Sequence, residues 1–220
     1  ARLAEAEDWF FWFTARNRLI CWVLQQHHPD MRCFCEIGYG TGATLQAISR
    51  CYPQTRLVGV DFYEEGKIWA NNRVPQAKLM RGDIRDLQPL NLNCDVAGVF
   101  DVLEHIPEDS IALTQLYQSL KSGGGLIITV PQHPSLWSVA DEAGHHQRRY
   151  TRKELETKVR QAGFEVRFVT SFVSLLLPIL WLNRKRAVVP EDAFDELKIN
   201  RSMNKLLCFV MAAERWLIKV

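Results

Sequence analysis

With 220 residues, 47% of them hydrophobic and 24% charged, the chain holds enough apolar material for one well-cored domain with an appended subregion, which excludes a disordered or fibrous class. A net charge of +2 gives no broad electrostatic footprint for nucleic acid, so no nucleic-acid partner is expected. The six cysteines lack metal-ligand spacing and read as buried thiols of a reducing compartment. No leader is recognised and no apolar run reaches the roughly 18 residues of a bilayer span, so a cytoplasmic location is expected, with membrane association left open.

The first element is a helix over residues 5 to 26, with Trp9, Phe13, Ile20 and Val23 on one stripe at helical spacing. Arg16 shares that stripe. It either snorkels from the edge of a packed helix or reaches under a cover helix to a carboxylate. Pro29 and Asp30 close the segment. Residues 33 to 42 then read as a buried strand ending in Glu36, a turn with glycines at positions 38, 40 and 42, and the start of a second helix. Glycines there let a ligand approach the main-chain amides, and the helix N-terminus behind them favours a carboxylate or phosphate. Glu36 would repel a pyrophosphate and attract an ammonium or sulfonium.

Arg56 to Val60 is a second buried strand ending in Asp61, placed to accept ribose hydroxyls or to cap the next segment. Phe62 follows. A helix from Glu65 to Arg73 and a strand from Ala77 to Met80 lead to Gly82-Asp83-Ile84, where Asp83 is a ligand group or a turn residue. Asp95 to Phe100 is the fourth strand and runs into Asp101-Val102-Leu103-Glu104-His105-Ile106-Pro107. A helix to Leu120, closed by Lys121 to Gly125, precedes a fifth strand, Leu126 to Val130, apolar enough to be buried on both faces. Strands and helices alternating at these intervals predict an α/β fold with a doubly wound, mostly parallel sheet.

Residues 131 to 150 carry few periodic signals and many titratable groups, as in a functional loop or lid. His133, His145 and His146 are its candidate catalytic bases, loop anchoring being the plainer role for each. No metal site is expected, because the adjacent His145 and His146 do not converge on one ion without further ligands. Thr151 caps a helix with Glu154 three positions on, Gly163 ends it, and Phe164 to Thr170 alternates like a sixth strand. No seventh strand is recognisable. Phe172 to Leu182, followed by Arg184-Lys185-Arg186, suits a bilayer interface, a lid over the substrate, or an oligomer contact. A last helix, from Asn204 to Val220, is expected to pack on it.

Glu36-Ile37-Gly38-x-Gly40-x-Gly42 resembles the first motif of the class I S-adenosylmethionine-dependent methyltransferases. Asp101 to Pro107 is similar to the fourth-strand motif of their small-molecule branch, which includes the ubiquinone and menaquinone biosynthetic enzymes. Leu120-Lys121-x-Gly123-Gly124 before the fifth strand, and His145, His146 and Arg149 after it, also resemble that family. The resemblance implies a Rossmann-like cofactor domain over 1–170, with an N-terminal cover helix, and an apolar helical extension over 171–220. It implies S-adenosylmethionine as cofactor and S-adenosylhomocysteine as product. The cofactor would be held by Arg16, Glu36, Gly38, Tyr39, Gly40, Thr41, Gly42, Asp61, Phe62, Asp83, Ile84, Phe100, Asp101, Val102 and His105. The methyl acceptor would be a small molecule or a lipid-linked one, with peripheral membrane contact through 172–186 and a monomer or homodimer as the assembly. Gly38-x-Gly40-x-x-Ala43 with Asp61 keeps an NAD(P)-dependent oxidoreductase open, and a non-catalytic cofactor-binding adaptor is the reading from another class.

Overall fold

The computed structural model describes residues 2–179, 181 and 199–219. Its centre is a five-stranded sheet of order β3-β2-β1-β4-β5, parallel throughout, from β1 (Cys33–Ile37), β2 (Arg56–Asp61), β3 (Lys78–Arg81), β4 (Cys94–Phe100) and β5 (Leu120–Thr129). The order reverses between β1 and β4, the switch point at which such sheets open a crevice beyond their carboxyl ends.

Strand periodicity sorts the side chains. Cys33, Cys35 and Ile37 join Val58, Val60 and Val99 in one buried layer, covered by α5 (Asp109–Ser119) with Leu113 and Leu116, while Leu155 and Val159 of α7 (Arg152–Gln161) pack against it. Phe34 points to the opposite layer, where α2 (Phe11–His27), α3 (Ala43–Cys51) and α4 (Lys67–Arg73) place Ile20, Leu24, Leu45, Ile48 and Ala70. Glu36 shares the Phe34 face by alternation. Cys33 and Cys94 approach to 2.7 Å between sulfurs on neighbouring strands, and the cysteines of the described residues are free thiols.

Several elements depart from the sequence expectation. The first helix is two, α1 (Arg2–Glu7) and α2, separated by an extended Phe10. The break is held from outside: Asn204 accepts the Phe11 amide at 2.8 Å and donates to the Trp9 carbonyl at 2.9 Å. Asn204 belongs to α8 (Arg201–Lys219), which packs on α2 and also on the 3-10 turn Ser174–Leu176, whose Ser174 amide donates to the buried Glu214 at 2.7 Å. Trp9 is exposed, so it leaves the core stripe to which its spacing assigned it.

β5 begins at Leu120, not Leu126. Asp95 accepts the Arg32 and Cys33 amides at 2.8 Å and pairs with Lys121 at 2.6 Å, pinning the glycine-rich run into an irregular ladder with β4. The strand is half-buried at the sheet edge rather than covered on both faces. Phe164 to Thr170 keeps part of its alternating burial yet forms no ladder. Phe168 instead packs on Trp22 and His27 of α2, so the expected sixth strand is replaced by a coil against the cover helix. The loop after β5 is more ordered than expected. A bridge from Gln132 to Tyr150 ties its base, and Ser138 and Asp141 cap a short helix α6 (Val139–Ala143). Residues 182–186, including the three cations proposed for lipid headgroups, lie outside the described residues.

Candidate functional site

The β1–α3 crossover is built from bare main chain. The Gly38 amide donates to the Val60 carbonyl at 2.7 Å, Gly42 closes the turn on Tyr39 at 2.8 Å, and all three glycines have positive φ. At Gly38 a Cβ would collide with Val102, and at Gly42 it would meet Ala70 Cα at 2.8 Å, so loop, β4 turn and α4 are packed to backbone contact. Around Gly40 nothing among the described residues lies within 4 Å of that position: the loop opens there. The side chains between the glycines turn away. Tyr39 is buried in the core, and Thr41 hydrogen-bonds Glu7 of α1 and receives Arg73 at 2.7 Å. Arg73 also pairs with Glu7 at 2.7 Å and Asp8 at 2.9 Å, strapping α1 over the loop.

Register brings the strand ends to one edge. Glu36 lies opposite Gly59 and Gly98, placing Asp61 just beyond on β2 and Asp101 just beyond on β4. Glu36 is buried, one of its carboxylate oxygens has no hydrogen-bond partner among the described residues, and burial pushes its pKa up to about 8 against the opposing pull of Arg16. Arg16 is buried as well. It pairs with Asp101, donates to Thr44 at 3.1 Å, and lies 4.8 Å from the Trp12 ring centroid. Asp61 accepts the Gly40 amide at 2.8 Å and the Tyr63 amide at 2.9 Å. Asp101 holds a left-handed conformation, accepts Thr129 at 3.1 Å, and hydrogen-bonds through its amide to the Thr129 carbonyl.

The adenine-side candidates sit further out. Asp83 is held below the usual carboxylate range by Arg85, which donates to it at 2.7 Å and bridges to Glu108 at 3.3 Å. Ile84 is buried under it, Phe62 is about half exposed, Phe100 is buried in the α2 layer, and Val102 lies half-buried against Gly38. The structure thus gathers Arg16, Glu36, Gly38, Gly40, Asp61, Asp101 and Val102 at the carboxyl edge of the sheet, while Tyr39 and Phe100 are buried in the layer behind it and Thr41 is tied to α1.

Beyond β4 a second polar region begins. His105 is solvent-facing, its ring centroid 4.8 Å from that of His146. His146 Nδ1 meets Asp141 at 3.0 Å, and Arg149 donates to the same carboxylate at 2.7 Å. Despite burial, these bonds hold Asp141 far below its ordinary range. Next to them Asp109 receives Lys158 at 2.5 Å, Tyr150 at 2.8 Å and Arg148 at 2.9 Å. His145 is exposed in a left-handed turn. His133 also has positive φ and lines a mainly apolar cleft of about 440 Å³ with Leu136, Leu177, Pro178 and Trp181. Sequence reasoning missed the strap of Glu7 and Arg73 on Thr41, and Asp141 as an anchor. The first carries no local signal, whereas Ser138 three residues before Asp141 was a legible cap.

Comparison with known proteins adds an independent line. Residues 11–168 match the family model described as a methyltransferase domain. A probable S-adenosylmethionine-dependent methyltransferase of Mycolicibacterium smegmatis is 25% identical over 166 residues, covering 74% of this chain and 62% of the relative. Trans-aconitate 2-methyltransferase of Azoarcus sp. is 29% identical over 122 residues, 56% of this chain and 46% of that protein. The chain thus spans about half to three fifths of the length of these curated relatives. In fold it is similar to CalS10 from Micromonospora echinaspora, an amino pentose methyltransferase solved with S-adenosylmethionine, with TM-score 0.61, 18% identity, and coverage of 72% of this chain and 86% of that one.

Proposed function

Because the chain belongs to the methyltransferase-domain family, we propose that it transfers a methyl group from S-adenosylmethionine to a small-molecule or lipid-linked acceptor. The observations that carry this are the open position at Gly40 and, four residues before it, a buried Glu36 oxygen with no hydrogen-bond partner among the described residues. Bare main chain with a buried acid behind it fits a ligand that combines a carboxylate with an ammonium, and suits a pyrophosphate poorly, which disfavours the nicotinamide reading.

When bound, the cofactor supplies an electrophilic methyl on a sulfonium. Within this reading, Glu36 receives the amino group and the main chain at Gly40, where no side chain stands in the way, lines the cradle. Asp61 takes the ribose hydroxyls, Asp83 the adenine amine, and Ile84 and Val102 give the ring apolar contact. Arg16, locked to Asp101, holds the acid at the β4 edge in place. Much of the acceleration expected of such a site is alignment, so a rigid edge serves it. Within this reading the cleft at His133 is taken as the acceptor pocket, and its apolar lining favours an acceptor with a substantial apolar part over a small polyanion such as trans-aconitate. Of the three candidate bases His133 lines that cleft, so it is the one assigned to an acceptor hydroxyl.

Among the described residues no helix is long and apolar enough to cross a membrane. Ile179, Trp181, Leu206, Phe209 and Trp216 are nevertheless exposed, which supports peripheral membrane contact through this end of the molecule. Isothermal calorimetry with S-adenosylhomocysteine tests the reading. Saturable binding at one site per chain is expected, and its absence, with NADH binding in its place, would overturn it.

A further inference from the structure

The two turns that flank the β4 edge converge on a cluster that methyl transfer does not require. Leu103–His105 forms a 3-10 turn, and the chain returns at residues 144–147, fastened to it by the Gln147 amide on the Glu104 carbonyl at 2.7 Å. Tyr150 adds a hydrogen bond to the Leu103 carbonyl at 3.3 Å. This brings Glu104, His105 and His146 together with one donor atom from each within 4.8 Å of the others.

Glu104 is fully buried, and both its carboxylate oxygens lack a hydrogen-bond partner among the described residues. Such a group is costly unless something pairs with it. His146 is already oriented. An imidazole that donates from Nδ1 to Asp141 carries its lone pair on Nε2, the carboxylate–histidine arrangement that stands behind many metal ligands. Arg149 satisfies the same Asp141 oxygen, which marks Asp141 as an anchor rather than a ligand. His105 stands at the solvent side, offering an entry path.

We propose that Glu104, His105 and His146 form a binding site for a divalent first-row transition ion, open on the solvent side for a further ligand. Two imidazoles with one carboxylate suit zinc, iron or nickel rather than magnesium or calcium, which prefer all-oxygen shells. Donors about 2.1 Å from a tetrahedral ion lie about 3.4 Å apart, so side-chain rotations that bring the three donors from within 4.8 Å to that spacing close the cluster. The site follows Asp101 by three residues. Its use in polarising an acceptor oxygen would rest on the methyltransferase reading, whereas ion binding itself does not.

The test is titration of the chelator-treated full chain with Co2+, followed by visible ligand-field absorption and displacement by Zn2+. One Co2+ per chain is expected. His105→Ala and His146→Ala should each weaken binding at least about tenfold, and His145→Ala should leave it unchanged. Glu104→Gln keeps the side-chain shape and should also weaken binding. Circular dichroism and the urea unfolding midpoint, measured on every variant, report whether the fold is intact. A wild-type chain without Co2+ bands, or a His146→Ala chain that binds like wild type, would overturn the site even if S-adenosylhomocysteine still binds. Co2+ binding without S-adenosylhomocysteine binding would leave the site standing and sink the cofactor reading instead.

Discussion

The crossover after β1 and the turn after β4 lie side by side at the same sheet edge, yet they are made differently. The first is a local construction: three glycines, one strand-end acid and a helix start within ten residues, with side chains turned away so that main chain faces outward. The second is assembled from distance. Glu104 meets His146 across 42 residues, and Asp109 meets Tyr150 and Lys158 across 41 and 49. Each region buries an acid with an unpartnered oxygen, Glu36 in one and Glu104 in the other. The glycine turn carries its acid four residues before an open position, and the β4 turn buries its acid within reach of two histidines. A site that must admit the backbone of a ligand is thus written locally, while one that must hold several side chains in fixed relation needs the topology.

Perturbing each region separately breaks or sharpens this contrast. The largest effect is expected from Gly40→Arg. Its side chain enters open space, so the fold survives the strain of the positive φ, but the cradle is filled. Affinity for S-adenosylhomocysteine should fall more than about 100-fold, or about 2.7 kcal/mol, by calorimetry, with Co2+ affinity unchanged. A loss of both would show that the two regions are one unit.

Asp109→Ala should act in the opposite sense. It removes the acceptor shared by Lys158, Arg148 and the Tyr150 hydroxyl, and because those cations are partly exposed and keep Glu154 and the Pro107 carbonyl as second partners, the cost in urea unfolding should be about 2 kcal/mol. S-adenosylhomocysteine affinity at 25 °C should change little.

Glu36 predicts a pH dependence. Its pKa, raised from 4.5 to about 8, means that its contribution to the stability of the cofactor-free chain is complete below about pH 4.5 and is lost as pH rises through about 8. A ligand ammonium needs the ionised form, so affinity for S-adenosylhomocysteine should rise about tenfold, or about 1.4 kcal/mol, per pH unit between pH 6 and about 8 before levelling. Glu36→Gln should flatten that slope, and a slope that survives the substitution would assign it to another group.

The smallest effect is expected at Asp61→Asn, which keeps one oxygen for the Gly40 amide and gives up the charge. A loss of about fivefold, or about 1 kcal/mol, in S-adenosylhomocysteine affinity is expected, whereas an analogue lacking the ribose hydroxyls should show no difference between the two chains.

Residues 33 to 42 announced strand, turn and helix because period-2 burial, positive-φ glycines and helix spacing operate within a few residues of chain. The acids at positions 61 and 101 were legible for the same reason, each closing a short apolar run, and Asp83 was legible in the glycine-containing turn after the third strand. The cover helix was legible in type and not in extent, since its break at Phe10 depends on Asn204, nearly two hundred residues away. The sixth strand failed because alternation only prepares a segment for a sheet. Phe168 found Trp22 and His27 instead of a ladder. Likewise the sequence presented three histidines as equals, and packing separated them: His133 into an apolar cleft, His145 into solvent, His146 onto Asp141. Local geometry is carried by short windows of residues. Which buried charge finds a partner depends on how the crossovers bring distant windows together, and that is decided only in the folded chain.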